Sequence, residues 1–267
     1  MSDESVPAGG DRATLVRIDV AAEVATLTLD SPHNRNALSS ALIDQLIAGV
    51  DAAVSDDRVR VIVLTHTGRT FCSGADLRET AAAFASGAVP AARMGQALMA
   101  LWDSPKPVVA RVGGPARAGG LGLIAAADIA VCASEATFAF SEDRLGVIPA
   151  VISATVLPRL TPRAAGELFL TGEPFDGARA ADIGLVTAAV PAEDLDATVE
   201  RYAAALRLGA PSAVAAAKAL IRRGAARPMP EELAELTKLS VGFFTSAEGQ
   251  EGVMSFLEKR KPAWVRP

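Results

Sequence analysis

Residues 106–149 read KPVVARVGGPARAGGLGLIAAADIAVCASEATFAFSEDRLGVIP. A short apolar strand is predicted over 108–112, and it leads into a glycine-rich turn. An apolar helix over 119–127 and a second strand over 129–133 follow. The last part, 138–148, carries two adjacent carboxylates between phenylalanines and aliphatic residues, and we expect it to be buried. Strand, helix and strand in succession indicate an α/β core, around which the rest of the chain is organised.

Composition limits the class of protein. The 267 residues are 50% hydrophobic and 21% charged, which predicts one large domain, or one domain with an appendage, and a sizeable core. The net charge of -5 argues against a nucleic-acid-binding protein, which should carry a basic excess. No apolar run reaches the length of about 18 residues that predicts a membrane span. The polar, acidic N-terminus lacks the features of a signal peptide, so a cytoplasmic protein is expected.

Cysteine and histidine are scarce. Cys72 and Cys132 are expected to be small buried hydrophobic residues in a reducing cytoplasm. His33 and His66 lie far from them in the sequence, so no zinc-ligand spacing is present and no metal site is predicted. A histidine-based triad is also not expected, and there is no G-x-S-x-G motif.

The order of elements predicts the domain organisation. Strands and helices alternate up to residue 149, and helices dominate after it. The first elements are a β-hairpin over 14–29, a strand over 58–65 and an Ala-rich stretch over 76–87 that is predicted to be helical or partly mobile. Ser39 and Thr161-Pro162 are predicted helix starts. We therefore predict a disordered tail over 1–12, an α/β core over 13–205 and a helical region over 206–267.

Two functions fit the glycine-rich turn. Gly120-x-Gly122-x-x-Ala125 loosely fits a dinucleotide-binding motif, with Glu135 as the ribose-binding acid. Alternatively the turn is an anion hole, because a helix N-terminus leaves N–H groups unpaired and glycine lets a ligand approach the backbone. An anion hole needs a second donor, and residues 71–77, FCSGADL, form another glycine-containing loop after a buried strand.

The two loops also carry a family resemblance. FCSGADL, AGGLGLIAAADIAV and FAFSEDRLGVIP resemble the crotonase superfamily, the enoyl-CoA hydratases and isomerases. Further matches are DSPHNRNALS, FLTGEPFDGARAADIGLV and EGVMSFLEKRKPAW. The resemblance implies an α/β fold made of a spiral of ββα units, with a helical C-terminal trimerisation region. It also implies an acyl-CoA thioester substrate, no separate cofactor, and a homotrimer or dimer of trimers.

The resemblance assigns roles to individual residues. The backbone N–H groups of Ala75 and Gly119 match the pair that holds the thioester oxygen as it becomes an enolate. The positions that match CoA-contacting residues lie in two loops and, for the CoA of a neighbouring subunit, near the C-terminus: His33, Arg35, Ala37, Ala75, Asp76, Leu77, Arg78, Phe256 and Lys259.

The carboxylates depart from the family pattern. Hydratases of the family use two glutamates to hold and activate one water. The second falls on Glu142, but the first falls on Gly122, which has no acid–base group. Apolar neighbours are expected to raise the pKa of Glu142. Asp143 is a candidate substitute acid, although in an extended segment it would point away from the face of Glu142 and pair with Arg144.

Three functional hypotheses follow. The first is an enoyl-CoA hydratase-type lyase that adds water to a 2-enoyl-CoA, with Glu142 as the acid–base residue. The second is a Δ3,Δ2-enoyl-CoA isomerase, because one carboxylate is enough to move a double bond. The third is a non-catalytic acyl-CoA binder that has lost its chemistry at Gly122.

Overall fold

The computed structural model describes residues 13–83, 91–223 and 228–266. The predicted tail, 1–12, lies outside the described residues, and so does the end of the helix predicted over 76–87. The strands are β1 (Val16–Ala21), β2 (Val24–Leu29), β3 (Val61–His66), β4 (Val108–Val112), β5 (Ala116–Arg117), β6 (Ile129–Ala133), β7 (Thr137–Ala139), β8 (Phe175–Asp176) and β9 (Ala188–Val190).

The helices divide into those that pack around the sheets and those that follow them. The first group is α1 (Ser40–Ser55), α2 (Leu77–Ala83), α3 (Ala91–Asp103), α4 (Gly119–Ala126), α5 (Ala150–Val156), α6 (Pro162–Thr171) and α7 (Gly177–Asp182). The second group is α8 (Leu195–Leu208), α9 (Pro211–Ile221), α10 (Met229–Thr245) and α11 (Ala247–Leu257).

The large sheet has the strand order β1-β2-β3-β4-β6-β9. β1 and β2 form the predicted antiparallel hairpin, and the remaining pairs are parallel. The run Val61 to Leu64 in β3 is buried at every position, as expected for a strand covered on both faces. β3 begins at Val61, later than the predicted start at residue 58.

The chain moves repeatedly between this sheet and a smaller one. The smaller sheet has the order β5-β7-β8. β4 in the large sheet leads to β5 in the small one, and β6 leads to β7 in the same way. β3 leads to Cys72, which forms a parallel bridge with Ala116 of β5. Three successive turns therefore stack on one another, which confirms the α/β spiral predicted from the sequence.

Side-chain hydroxyl groups cap the N-termini of α1 and α6 at the predicted positions. The Ser39 hydroxyl accepts a hydrogen bond from the Leu42 N–H (3.2 Å) at the start of α1. The Thr161 hydroxyl accepts one from the Ala164 N–H (3.4 Å), with Pro162 in the first turn of α6.

The segment after β7 differs from expectation. Phe138 and Phe140 are buried, as predicted, but the chain then forms a short 3-10 helix, Asp143–Leu145, and becomes exposed. Val147 and Ile148 are 53% and 76% exposed. The prediction of a buried, extended segment up to residue 148 is therefore wrong. Its aliphatic residues read as core, but they lie on the surface of the single chain.

The C-terminal helices are only partly packed. α8 lies against β4 and β6, and the predicted boundary at residue 205 falls inside it. α10 has no buried residue. Among the described helices none is by itself long and apolar enough to span a membrane, and one pair bent by 112°, Ala192–Leu208 with Pro211–Ile221, passes only by length and composition.

Candidate active site

Three parallel segments lead into one edge of the small sheet. They are the Cys72 bridge, β5 and β7, and they pair in parallel register. Ala75 lies three residues beyond Cys72, Gly119 two residues beyond β5, and Glu142 three residues beyond β7. Because parallel strands present their carboxyl ends together, the topology places these three residues at the same edge.

The backbone at Ala75 turns its N–H outward. Gly74 before it has φ +91°, a left-handed conformation that glycine adopts without strain. Ala75 forms a parallel bridge with Leu38. The hydrogen bonds of this bridge use backbone groups of Gly74 and Asp76, and they do not use the Ala75 N–H. Leu38 N–H donates to Gly74 O (2.8 Å), and Asp76 N–H donates to Leu38 O (3.3 Å). No described residue accepts a hydrogen bond from the Ala75 N–H.

The backbone at Gly119 repeats this arrangement. Ala118 before it has φ +48°, which is strained for a residue with a side chain. Gly119 is the first residue of α4, and its N–H has no acceptor among the described residues. A Cβ on Gly74 would lie 3.0 Å from that of Ala118, so the two turns touch. The structure thus places the two predicted N–H donors directly after two turns that contact each other.

A cavity of about 420 Å³ opens beside Ala75. Its lining contains the seven loop residues predicted to contact CoA, together with Asn34 and Ser73: His33, Asn34, Arg35, Ala37, Ser73, Ala75, Asp76, Leu77 and Arg78. Sequence reasoning missed Asn34 and Ser73, although both lie inside the motifs that it used. Phe256 and Lys259 are not part of this lining within the single chain, and Phe256 is 83% exposed.

Asn36 holds the first of these loops in place. Its side chain is fully buried, and its Oδ1 accepts a hydrogen bond from the Ser31 N–H (2.7 Å). Its Nδ2 donates to the carbonyl oxygens of Thr67 (3.1 Å) and Thr70 (2.8 Å). Asn36 also adopts a positive φ of 54°, which asparagine tolerates better than most residues. One side chain therefore ties the first cavity loop to the segment that precedes Ala75.

Glu142 carries an unpaired buried oxygen. The chain leaves β7 through Phe140, whose ring lies 4.5 Å from that of Phe169, and Glu142 stands at the start of the short 3-10 helix. Its Oε2 is buried and has no hydrogen-bond partner among the described residues. Burial raises the pKa of Glu142, and the charge of Asp143 adds to this in the same direction. A raised pKa makes a carboxyl group better suited to general acid–base catalysis than one at its ordinary value.

Asp143 does not accompany Glu142. Its Oδ1 accepts a hydrogen bond from the Arg144 N–H (2.9 Å) and faces Gly172 at the end of α6. Asp143 therefore pairs with Arg144 through the Arg144 backbone, while the Arg144 guanidinium pairs with Glu173 (2.6 Å). Asp143 points toward α6 because the segment is a tight turn, and this orientation removes it as a substitute acid.

Gly122 lies against aliphatic side chains. A Cβ built on it would lie 2.5 Å from Ile152 Cγ2 and 3.3 Å from Leu98 Cδ2. A Cβ on Gly119, one turn earlier, would lie 3.6 Å from Met94 Cε. Met94, Leu98 and Ile152 are all buried, and we refer to these three residues as the apolar wall.

The dinucleotide interpretation of the glycines is wrong. Gly120 and Gly122 lie inside α4 rather than in a loop before it. A Cβ on Gly120 would lie 2.8 Å from Cys72 Cβ. Both glycines therefore allow α4 to pack closely against neighbouring residues, and they leave no open loop that could hold a dinucleotide. Glu135 is exposed in the turn between β6 and β7.

The cysteines and His66 are structural. Both thiols are buried, as predicted, and burial raises the pKa of Cys72 and of Cys132 to about 12. Neither forms a thiolate at neutral pH. His66 Nε2 accepts a hydrogen bond from the Gly113 N–H (3.1 Å), and burial lowers its pKa. Within the described part of the chain, no group of three or more His, Cys, Asp or Glu residues is placed to hold a metal ion.

Two N–H groups without a described acceptor and a buried carboxylate therefore lie at the same edge of the spiral, an arrangement that is chemically able to stabilise an oxyanion. Residues 19–267 match the family described as "Enoyl-CoA hydratase/isomerase". The chain belongs to the enoyl-CoA hydratase/isomerase family.

Individual relatives agree with this assignment. A Rhodobacter capsulatus protein named "Probable enoyl-CoA hydratase" is 36% identical over 92% of this chain and 96% of its own. The solved structure of Pseudomonas aeruginosa AtuE superposes with a TM-score of 0.89 at 33% identity, covering 95% of this chain and all of that one. An enoyl-CoA hydratase structure from Mycobacterium avium has 44% identity and a TM-score of 0.72, covering 94% and 99%.

Proposed function

We propose that the protein is an enoyl-CoA hydratase-type lyase, which adds water to a 2-enoyl-CoA thioester. The CoA part binds in the cavity beside Ala75, where Arg35 and Arg78 supply positive charge for its phosphates. The thioester oxygen accepts hydrogen bonds from the N–H groups of Ala75 and Gly119. Glu142 is the acid–base residue.

One carboxylate is enough for both proton transfers of the proposed reaction. Ionised Glu142 removes a proton from water, and the water oxygen bonds to carbon 3 of the substrate. The electron pair of the double bond moves to the thioester oxygen, where the two N–H groups hold the enolate. Glu142 then returns its proton to carbon 2, which gives a 3-hydroxyacyl-CoA. Removal of one oxyanion donor typically costs about 3–4 kcal/mol of transition-state stabilisation.

One observation carries this proposal. Glu142 Oε2 is buried without a described partner, at the sheet edge where two backbone N–H groups also have no described acceptor. A buried polar group is normally hydrogen-bonded, so the unpaired Glu142 oxygen indicates a group reserved for a substrate. The two N–H groups at the same edge are accessible to that substrate, because Ala75 is exposed and Gly119 is only partly buried. The names of relatives such as the R. capsulatus protein support hydration as the reaction.

A second candidate is a Δ3,Δ2-enoyl-CoA isomerase. The apolar wall favours it, because Ile152 and Leu98 fill the space around Gly122 where a second water-holding group would stand. Glu142 alone would remove a proton from carbon 2 of a 3-enoyl-CoA and return it to carbon 4. No water enters this reaction.

The test is turnover of a short 2-enoyl-CoA and of its 3-enoyl isomer, followed through the absorbance of the conjugated thioester. Hydration removes this absorbance and isomerisation creates it. In Glu142→Gln we expect the rate to fall by about 10²- to 10⁴-fold. Asp143→Asn is the matched control and should keep most of the activity, because Asp143 faces α6.

Each result has a defined meaning. Loss of the 2-enoyl signal, abolished in Glu142→Gln, supports the lyase. A signal only from the 3-enoyl substrate supports the isomerase. Binding of CoA thioesters without turnover across a panel of chain lengths would make the protein a non-catalytic binder and end both proposals.

A further inference from the structure

The inner face of α4 is built from two glycines one turn apart, Gly119 and Gly122. Because glycine has no side chain, a neighbouring residue occupies the space beside each of them, and a Cβ at either position would displace that neighbour. Leu38 fills the room at Gly119, with Cδ1 2.7 Å from a Cβ built there, and Met94 Cε lies beside it at 3.6 Å. Leu98, one turn further along α3 than Met94, lies at Gly122. Ile152 of α5 covers Gly122 from the other side, with Cγ2 at 2.5 Å and Cβ at 2.9 Å from a Cβ built there.

This packing continues from the anion hole into the protein. Gly119 supplies one of the N–H donors, so the apolar wall starts beside the thioester position and follows the direction of α4. Ile152 and Leu98 are only 3% and 4% exposed. A substrate carbon that extends from the thioester along this face therefore meets aliphatic side chains.

The nearest buried polar side chain is already paired. Thr155 lies on α5, three residues after Ile152, and its Oγ1 lies 3.1 Å from the carbonyl oxygen of Gly122 and 3.2 Å from that of Ile152. Its single proton is used in these bonds. A water beside Gly122 would find no free side-chain donor among these residues, and a bound water needs two to four polar partners.

We infer that Ile152 and Leu98 are specificity-determining residues, which limit the space for water beside the reacting carbons and so set the ratio of hydration to double-bond migration. This inference rests on the proposed function, because it concerns the acyl part of the same site. Both reactions begin at the same enolate-stabilising hole, and only hydration needs space for a water molecule. The apolar wall thus sets the ratio of the hydration rate to the isomerisation rate. Glu142 and the two N–H groups determine how fast both reactions are.

The experiment measures both rates, hydration of a 2-enoyl-CoA and isomerisation of a 3-enoyl-CoA, in a set of purified variants. Ile152→Ala removes Cγ2, the atom closest to Gly122, and opens the wall. Ile152→Val keeps that methyl group and is the conservative control. Val156→Ala makes a similar cavity one turn further along α5. Leu98→Ala opens the wall from α3 and is independent of how well Ile152→Ala folds.

We expect the ratio of hydration to isomerisation to rise on the order of tenfold in Ile152→Ala and in Leu98→Ala, the range that one small change in an apolar pocket produces. In Ile152→Val and Val156→Ala the ratio should stay at the wild-type value. A general loss of packing would lower both rates together and leave the ratio unchanged.

The outcomes separate this inference from the proposed function. An active wild type whose ratio does not move in either Ile152→Ala or Leu98→Ala overturns the inference alone. An equal rise in Val156→Ala also overturns it, because the effect would then be nonspecific. A wild type that turns over neither substrate refutes the proposed function, and this inference with it.

Discussion

At Glu142 the requirements of chemistry and of stability oppose each other. One carboxylate oxygen is buried without a described partner, and burial raises the pKa. The folded state therefore favours the protonated form more than the unfolded state does. The stabilisation that results from this pKa shift is fully present below the ordinary pKa of 4.5. It is lost as the pH rises through the pKa of Glu142 in the folded state.

We therefore expect Glu142→Gln to melt at a higher temperature than the wild type at pH 7.5, because the amide removes a buried charge. The difference should shrink toward zero as the pH falls below 4.5, since the wild-type carboxyl is then neutral as well. Thermal melts over this pH range measure it. Glu193→Gln, at an exposed position, is the control and should show no such dependence. Destabilisation by Glu142→Gln at pH 7.5 would contradict the prediction.

Asn36 stabilises the first cavity loop through its buried side chain. Asn36→Ala leaves the Ser31 N–H and two carbonyl oxygens without their partner and places alanine at a positive φ. The free energy of unfolding should fall by about 2–4 kcal/mol. Urea denaturation measures this change. Asn34→Ala is the neighbouring control, and it should cost below about 1 kcal/mol because Asn34 is only half-buried. Equal losses in both variants would rule out the anchoring role of Asn36.

The family resemblance assigned the N–H donors from two short motifs. Ala75 and Gly119 follow turn residues, and the structure shows both N–H groups without a described acceptor. The absence of an acid at Gly122 was also visible in the sequence. That Ile152 fills the space there was not, because it depends on how α5 packs across α4, thirty residues away.

At the scale of elements, α2 is tied to α1 by one side chain. Glu79 Oε2 accepts a hydrogen bond from the Ser40 N–H (2.9 Å), and its Oε1 accepts one from the Ser40 hydroxyl. Ser40 is the first residue of α1, where a carboxylate also interacts favourably with the helix dipole. α2 begins directly after Asp76, so this contact fixes the loop that carries Ala75 and lines the cavity.

Glu79→Ala should therefore raise the KM for an acyl-CoA substrate on the order of tenfold, with a smaller change in kcat, because the loop loses its anchor. Glu79→Gln should restore near wild-type kinetics, since the amide can still accept from the Ser40 N–H. Steady-state kinetics of the three proteins measure this. A Glu79→Ala enzyme with unchanged KM and kcat would show that the loop is held by other contacts.

Elements were predictable in proportion to their length. β4 and β6 have the predicted bounds because each is a five-residue run between clear breaks, apolar throughout in β6 and interrupted only by Arg111 in β4. β5 and β8 have only two residues each, too few for any periodic pattern, and neither was predicted. The sequence also placed the aliphatic residues after Glu142 in the core, since hydrophobicity alone does not distinguish a core residue from one exposed on a single chain.

At the scale of the whole molecule, α10 leaves apolar side chains uncovered by the described residues. α10 has seventeen residues and none is buried, while Val241 and Phe244 are 55% and 68% exposed. Exposed apolar area of this kind marks an interaction surface. We expect a second copy of the chain to cover it, consistent with the homotrimer or dimer of trimers that the sequence resemblance implies.

The mass in solution, measured by light scattering during size exclusion, should therefore be a multiple of 27.4 kDa. Phe244→Asp should reduce it to that of one chain, because a charge would have to be buried without a partner. Lys238→Glu, on another face of the same helix, is the matched charge-changing control and should keep the wild-type mass. A wild-type monomer would refute the predicted assembly. An oligomer that persists in Phe244→Asp would place the interface elsewhere and leave the exposed face of α10 for another partner.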